Sequence, residues 1–179
     1  SGRSGRWPNW PTCTKICEGQ ALDVEFEGRD AVTPAEYVEM VESKTAVLYA
    51  AASAIPAVLL GADEEVVQAL NGYGLDVGRA FQIQDDLLDL TVPSDTLGKQ
   101  RGSDLIEGKR TIVTLHAQRQ GLDIDALVPA ETHMEVTEAD IEAAVGELED
   151  AGSIDYAREM AAEYIRTGKD RLSVLPRSN

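Results

Sequence analysis

The stretch Phe81–Asp89, FQIQDDLLD, lies in a longer segment whose apolar residues recur with a helical period. The pattern predicts a helix from about Asp63 to Leu90 with two apolar arcs. One arc contains Val66, Leu70, Val77, Phe81 and Leu88, and the other contains Ile83, Leu87 and Leu90. A helix that is apolar on more than one side usually lies among other helices, so we expect this one to be central.

Three aspartates in this stretch form the first candidate site. On a helix, Asp85 and Asp89 lie one turn apart on the same face, and Asp86 lies about 100° around from Asp85. Carboxylates this close repel one another unless a cation joins them, and magnesium commonly bridges carboxylates to substrate phosphates. The alternative is a solvated acidic face. Because charges buried between two apolar arcs are costly, we favour a cavity that holds divalent cations.

The segment upstream predicts a second helix with an unusual lysine. Thr33–Glu36, TPAE, is a capping box with proline at the first helical position. Pro56 is expected to kink or end the helix. The apolar stripe between them runs through Tyr37, Val41, Lys44, Leu48, Ala51 and Ile55. A lysine in such a stripe either extends to solvent or points into a cavity that holds an anion, and Thr45 offers a hydroxyl beside it.

Downstream, Thr91–Gly108 is rich in turn formers and charged residues and predicts a loop, with helix resuming near Thr111. Four cations lie among glycines in this region, at Lys99, Arg101, Lys109 and Arg110. Such a cluster can bind phosphate, although an ordinary polar connection is the alternative. Two further helices are predicted, one opened by Thr137–Asp140 and one from about Ile154 to Leu172. No strand pattern competes, so the predicted fold is all-α.

Composition limits the kinds of partner. The chain has 32 acidic and 16 basic residues, and its net charge of -16 argues against nucleic acid. The scattered acidic residues suit a halophilic protein. No apolar run approaches the roughly 20 residues of a membrane span. Cys13 and Cys17 are too few for a disulfide framework, so a cytoplasmic location is expected. Residues 1–16 are predicted to be a flexible leader or a sequence junction.

Four motifs together resemble the trans-isoprenyl diphosphate synthases, or polyprenyl synthetases, which include geranylgeranyl and farnesyl diphosphate synthases. They are GQALD at Gly19–Asp23, the pair Lys44-Thr45, FQIQDDLLD, and GKQRGSDLIEGKRT at Gly98–Thr111. The resemblance covers about residues 17–179, which we expect to form a partial polyprenyl synthetase domain. It implies the carboxy-terminal half of an isoprenoid synthase helical bundle, and a homodimer in the full-length enzyme.

The resemblance also implies an activity and roles for single residues. The reaction is magnesium-dependent condensation of an allylic diphosphate with isopentenyl diphosphate. Asp85 and Asp86 match residues that hold the metal, and Asp89 matches one that acts through metal-bound water. The implied catalytic residues are Lys44, Thr45, Gln82 and Asp85. The implied diphosphate-binding residues are Lys44, Gln82, Lys99 and Lys109.

One departure from the family pattern leaves alternatives open. Family members carry a first aspartate-rich motif upstream of the GQ helix, and nothing before Gly19 matches it. We therefore expect a partial chain that is inactive alone. A non-catalytic partner subunit or relic of a synthase is one alternative. A class I terpene cyclase fragment is another, but EGKRT at Glu107–Thr111 disfavours it because that motif resembles chain-elongating enzymes.

Overall fold

A computed structural model describes residues 12–29, 31–128 and 136–175. Within these ranges the chain is helical and contains no strand, which confirms the all-α prediction. The helices are α1 (Thr12–Glu27), α2 (Pro34–Val41), α3 (Val47–Leu59), α4 (Glu64–Thr91), α5 (Ser94–Leu97), α6 (Ser103–Ile106), α7 (Ile112–Arg119), α8 (Ile124–Leu127), α9 (Glu138–Asp150) and α10 (Ser153–Arg171). A π-turn, Glu42–Ala46, joins α2 to α3, and a 3-10 turn, Leu172–Val174, follows α10.

Helix α4 is the central element, as its sequence predicted. It packs along α3 on one flank and α10 on another, while α1 contacts the π-turn and α2. Its buried side chains join one main core, whose largest members include Phe26, Tyr37, Ile83, Leu87, Ile112, Leu115, Ile141, Leu148 and Ile154. Each such side chain contributes about 1.5–3 kcal/mol through burial, so this core fixes the helices that carry the candidate site.

Both predicted helix starts are confirmed. Thr33 and Glu36 form a reciprocal capping box at the start of α2, with Pro34 at the first helical position. Thr137 and Asp140 form the same arrangement at the start of α9. Each box satisfies amide groups that the first turn leaves without a partner, which explains why a local sequence signal locates these ends.

The apolar stripe predicted after Thr33 is correct for Tyr37 and Val41 but wrong for two residues beyond the π-turn. Leu48 is 55% exposed and Ile55 is also exposed. Ala51 of the predicted stripe is buried as expected, and the other buried residues of α3 are Ala50, Ala54 and Ala57. A π-turn inserts one extra residue, so each later side chain is rotated by about 100° relative to an uninterrupted α-helix. Small alanines therefore face α4, which allows the two helices to approach closely.

Other boundaries also differ from the sequence predictions. Helix α3 continues through Pro56 to Leu59, so this proline does not end the helix. On α4, Phe81 and Leu88 are exposed, although their arc was predicted to be buried. Two short helices, α5 and α6, lie within the predicted loop.

The predicted leader is corrected over residues 12–16, because these residues belong to α1. Residues 1–11 lie outside the described part of the chain. Cys13 and Cys17 are both exposed and free. In the ranges that the structure covers, every helix is too short or too polar to cross a membrane.

Candidate active site

A cavity of about 260 Å³ lies where α1, α2, the π-turn and α4 meet the segment between α5 and α7. Its lining residues are Asp23, Tyr37, Met40, Lys44, Gln82, Asp85, Asp86, Lys99, Asp104, Lys109, Arg110 and Thr111. The cavity thus brings together six of the eight predicted site residues. The other two, Thr45 and Asp89, contact lining residues from behind.

Asp86 is the most constrained carboxylate of the cavity. The Tyr37 hydroxyl donates to its Oδ2 at 2.6 Å, and Gln82 Nε2 donates to its Oδ1 at 3.0 Å. Burial raises its pKa to about 7 despite these two hydrogen bonds, and the nearby charges of Asp104 and Asp85 add to the rise. Asp85 beside it is exposed. The exposed carboxylate of Asp85 and the buried carboxylate of Asp86 therefore lie side by side on one wall of the cavity.

Lys44 lines the cavity, which is the position that one of the two interpretations of this lysine required. Its Nζ lies 2.5 Å from Asp23 Oδ2, and its side chain is only partly exposed. The pair spans 21 positions in the sequence. No local pattern predicts such a contact, so Asp23 could be connected with Lys44 only through the structure.

A chain of hydrogen bonds connects the π-turn to the acidic wall. Thr45 Oγ1 donates to Gln82 Oε1 at 3.0 Å, and Gln82 donates in turn to Asp86. Thr45 is thus a support for Gln82 in this structure rather than part of the cavity surface. The amide of Gln82 is fixed at both ends, which orients the buried carboxylate.

Asp89 does not line the cavity, but it binds the segment between α5 and α7 that does. Its carboxylate accepts from Ser103 Oγ at 2.7 Å and from the Asp104 amide at 3.0 Å. Lys99 Nζ approaches the same carboxylate at 2.7 Å. Asp89 is almost fully buried, whereas the Lys99 side chain that reaches it is half exposed. Its role visible in the structure is to hold the backbone of the loop in place.

The four loop cations do not form one patch. Lys99, Lys109 and Arg110 line the cavity. Arg101 is turned away instead, because its Nε donates to the Leu90 carbonyl at 2.6 Å and its Nη1 pairs with acidic residues of α9. The predicted patch is therefore corrected to three cations. Arg101 serves to join the loop to α4 and α9.

The two loop lysines are held in the charged state. A hydrogen bond to Asp89 raises the pKa of Lys99. Burial opposes the charge of Lys109, but hydrogen bonds to Asp104 and Glu107 outweigh burial and raise its pKa. Both side chains therefore stay cationic at any physiological pH, as anion binding requires.

The donor groups fit magnesium, although the described residues contain no preassembled cluster of three or more metal-ligating side chains. Asp85 and Asp86 present carboxylate oxygens on one wall, and these are hard ligands. Magnesium keeps several waters and is usually held by one or two carboxylates together with substrate phosphates. Two carboxylates in a small cavity that four cations also line match that kind of site better than a complete protein cage.

Two of the cavity residues that were not predicted as site residues, Tyr37 and Asp104, contact predicted ones. Tyr37 was assigned to the apolar stripe, although a buried tyrosine hydroxyl usually needs a partner and this requirement was a usable signal. Asp104 gave no signal, because its carboxylate reaches the cavity only through the fold of α6 and its bond to Lys109.

The sequence model of one family, described as polyprenyl synthetase, matches residues 11–148. The geranylfarnesyl diphosphate synthase of Natronomonas pharaonis is 68% identical over 92% of this chain and 47% of its own length. The geranylgeranyl diphosphate synthase of Methanosarcina mazei is 51% identical over 92% of this chain and 49% of its own length. The chain thus spans about half the length of these relatives.

Solved structures agree with the sequence comparisons. The geranylgeranyl pyrophosphate synthetase of Geoglobus acetivorans superposes with a TM-score of 0.81 at 42% identity, over 93% of this chain and 50% of that one. A polyprenyl synthase of Caulobacter crescentus, complexed with calcium and isoprenyl diphosphate, gives a TM-score of 0.81 at 35% identity. That match covers 93% of this chain and 51% of the other.

Proposed function

Because the chain belongs to the polyprenyl synthetase family, we propose that it forms part of a prenyltransferase that condenses an allylic diphosphate with isopentenyl diphosphate. The single observation that carries this proposal is the cavity, in which an acidic wall faces a group of cations. Such a pairing suits a diphosphate that arrives with divalent metal. The names of the relatives support the same reaction class.

The acidic wall is the proposed metal site. Asp85 and Asp86 would hold magnesium, and when bound the metal supplies positive charge that stabilises a departing diphosphate. Tyr37 and Gln82 orient Asp86 through their hydrogen bonds. Action of Asp89 through metal-bound water stays a prediction, and its contacts with Ser103 and the Asp104 amide support a second role in fixing the loop.

The cations are the proposed diphosphate site. Lys44, Lys99 and Lys109 would donate hydrogen bonds to phosphate oxygens, with Gln82 beside them on α4. These groups act by electrostatics, because ionisation of an allylic diphosphate needs no covalent bond to the protein. A local group of cations also explains how a chain with a net charge of -16 can attract an anion.

The proposal is tested by calorimetry with magnesium and pyrophosphate on the 179-residue chain. We expect each ligand to bind weakly alone and more tightly with the other, because each screens the charge of its partner. The double variant Asp85→Asn, Asp86→Asn should lose this coupling. Asp155→Asn, an exposed change on α10, is the matched control and should retain it. Unchanged coupling in the double variant would mean that the acidic wall is only solvated surface.

A further inference from the structure

An ion-pair network centred on buried Asp76 links α10, α4 and the π-turn, and none of its members lines the cavity. Asp76 is only 1% exposed. It accepts from Arg79 Nη1 at 2.7 Å and from Arg171 Nε at 2.6 Å. Arg79 also pairs through Nη2 with Glu42, the first residue of the π-turn. The Arg79 guanidinium lies over the ring of Tyr164, 5.4 Å from its centroid.

Arg79 is held by these partners rather than by solvent. Its side chain is mostly buried, and among the described residues its Nε has no hydrogen-bond partner. A buried charge is costly when it is unpaired, so loss of either carboxylate partner would leave Arg79 poorly satisfied. Arg79 therefore joins the partly exposed Glu42 to the buried Asp76.

The π-turn needs such an anchor. A π-turn is a rare insertion in an α-helix, and its extra residue must be stabilised by the surrounding structure. The backbone of the π-turn packs closely against a glycine of α1 and a glycine of α4. A Cβ at Gly19 would lie 2.2 Å from the Lys44 amide nitrogen, and a Cβ at Gly78 would lie 2.4 Å from Ala46 Cα. Helices α1 and α4 thus enclose the turn, while Arg79 fixes its beginning.

We propose that Arg79 is a positioning residue for the diphosphate site. By joining Glu42 to buried Asp76, it holds the π-turn in the form that aims Lys44 at the cavity and Thr45 at Gln82. Reversion to α-helical hydrogen bonding would turn side chains on one side of the turn by about 100° relative to the other. Lys44 and Tyr37 could then not both face the cavity. The consequence for diphosphate binding rests on the proposed function, whereas the anchoring of the turn does not.

The anchoring is tested by amide hydrogen exchange on Arg79→Gln in the full chain. We expect amides of residues 42–47 to exchange about tenfold faster or more, with α9 unchanged, because the loss is local. Arg158→Gln is the matched control, since this arginine pairs with Asp155 on the surface of α10. Exchange at residues 42–47 that matches the wild type would overturn the proposal.

The effect on the site is tested by a double-mutant cycle on magnesium-dependent pyrophosphate binding. Arg79→Gln should weaken binding about tenfold, yet cause no further loss in a Lys44→Ala background, because both changes remove the same contact. An equal loss in both backgrounds would show a general structural effect and overturn the positioning role. Absence of pyrophosphate binding in the wild type would contradict the proposed function, and the exchange experiment would still decide whether Arg79 anchors the turn.

A second variant covers the case in which Arg79→Gln does not fold. Glu42→Gln removes the same link at its more exposed end and leaves the Asp76–Arg79 pair in place. It is expected to reproduce both the faster exchange at residues 42–47 and the weaker binding. A folded Glu42→Gln protein with wild-type exchange in the π-turn would overturn the proposal.

Discussion

Asp86 combines a place in the proposed metal site with an energetic cost. Its carboxylate lies next to Asp85 and Asp104 in a site where burial disfavours charge, and its pKa rises from 3.8 to about 7. An acid with a raised pKa binds more protons in the folded than in the unfolded state. Its contribution to stability is therefore fully present below pH 3.8 and is lost as the pH rises through about 7.

The first prediction concerns this cost. In metal-free buffer, Asp86→Asn should raise the melting temperature at pH 8 by roughly 5 °C, and this gain should shrink as the pH falls toward 5. Asp85→Asn is the control, because it removes the same charge from an exposed neighbour and should change little. Thermal melts across this pH range measure both. An equal rise in melting temperature at pH 5 and pH 8 would show that the rise does not come from removing the Asp86 charge.

At the residue scale, the sequence predicted which side chains gather but not how they are connected. The position of Lys44 in an apolar stripe left two interpretations open, and in the structure this lysine lines the cavity. Its partner Asp23 and the link from Thr45 to Gln82 depend on contacts between helices far apart in sequence. Local periodicity carries no information about such pairs, so these contacts could not have been found without the fold.

At the element scale, Asp89 holds the loop over the cavity. Ser103, the Asp104 amide and Lys99 all contact its carboxylate. The Gly102 amide also donates to the Asp89 carbonyl at 2.8 Å. Side chain and backbone of one residue thus fix the segment that presents Lys99 and precedes α6.

The second prediction tests this anchor with an isosteric change. Asp89→Asn should lower the free energy of unfolding by about 2–3 kcal/mol, because an amide cannot accept from all three donors. Asp85→Asn should leave it nearly unchanged in the same urea titration. Amide exchange should also become faster at residues 99–106. An Asp89→Asn protein with the stability and loop protection of the wild type would show that the loop is held by other contacts.

The elements show why some boundaries were predictable and others were not. Capping boxes at Thr33 and Thr137 act within four residues, so the sequence locates those helix starts. The π-turn has no comparable local signature, since its stability comes from Arg79, Gly19 and Gly78 on other helices. A prediction from an uninterrupted helical period therefore ignored the π-turn and wrongly assigned Leu48 and Ile55 to the buried face.

At the scale of the whole molecule, charge is the dominant feature. Most acidic residues in the described ranges are exposed, and the net charge of -16 makes the folded state repel itself. The third prediction is that the melting temperature rises between low and molar potassium chloride, because salt screens this repulsion. Calorimetric scans at increasing salt measure it. A melting temperature that is flat or falls over this range would reject the halophilic interpretation.

The described part of the chain also exposes an apolar face on α3 and α4. Leu48, Ile55, Phe81 and Leu88 are all exposed there, and the rings of Tyr49 and Phe81 are 5.3 Å apart. Periodicity identified part of this face as apolar but could not show whether anything covers it. The two relatives named above are about twice as long as this chain.

The last prediction concerns the activity of this chain alone and together with an amino-terminal half. The chain alone should not condense prenyl diphosphates, because ionisation needs cations on both sides of the diphosphate and the described residues provide one acidic wall. Co-expression with the amino-terminal half of the Natronomonas pharaonis relative should restore condensation, measured with labelled isopentenyl diphosphate. Lys44→Ala and Asp85→Ala should each remove most of that activity, whereas Lys169→Ala, an exposed change on α10, should do little. Turnover by the purified chain alone would contradict the half-enzyme proposal, and failure of the pair to react would favour a non-catalytic relic.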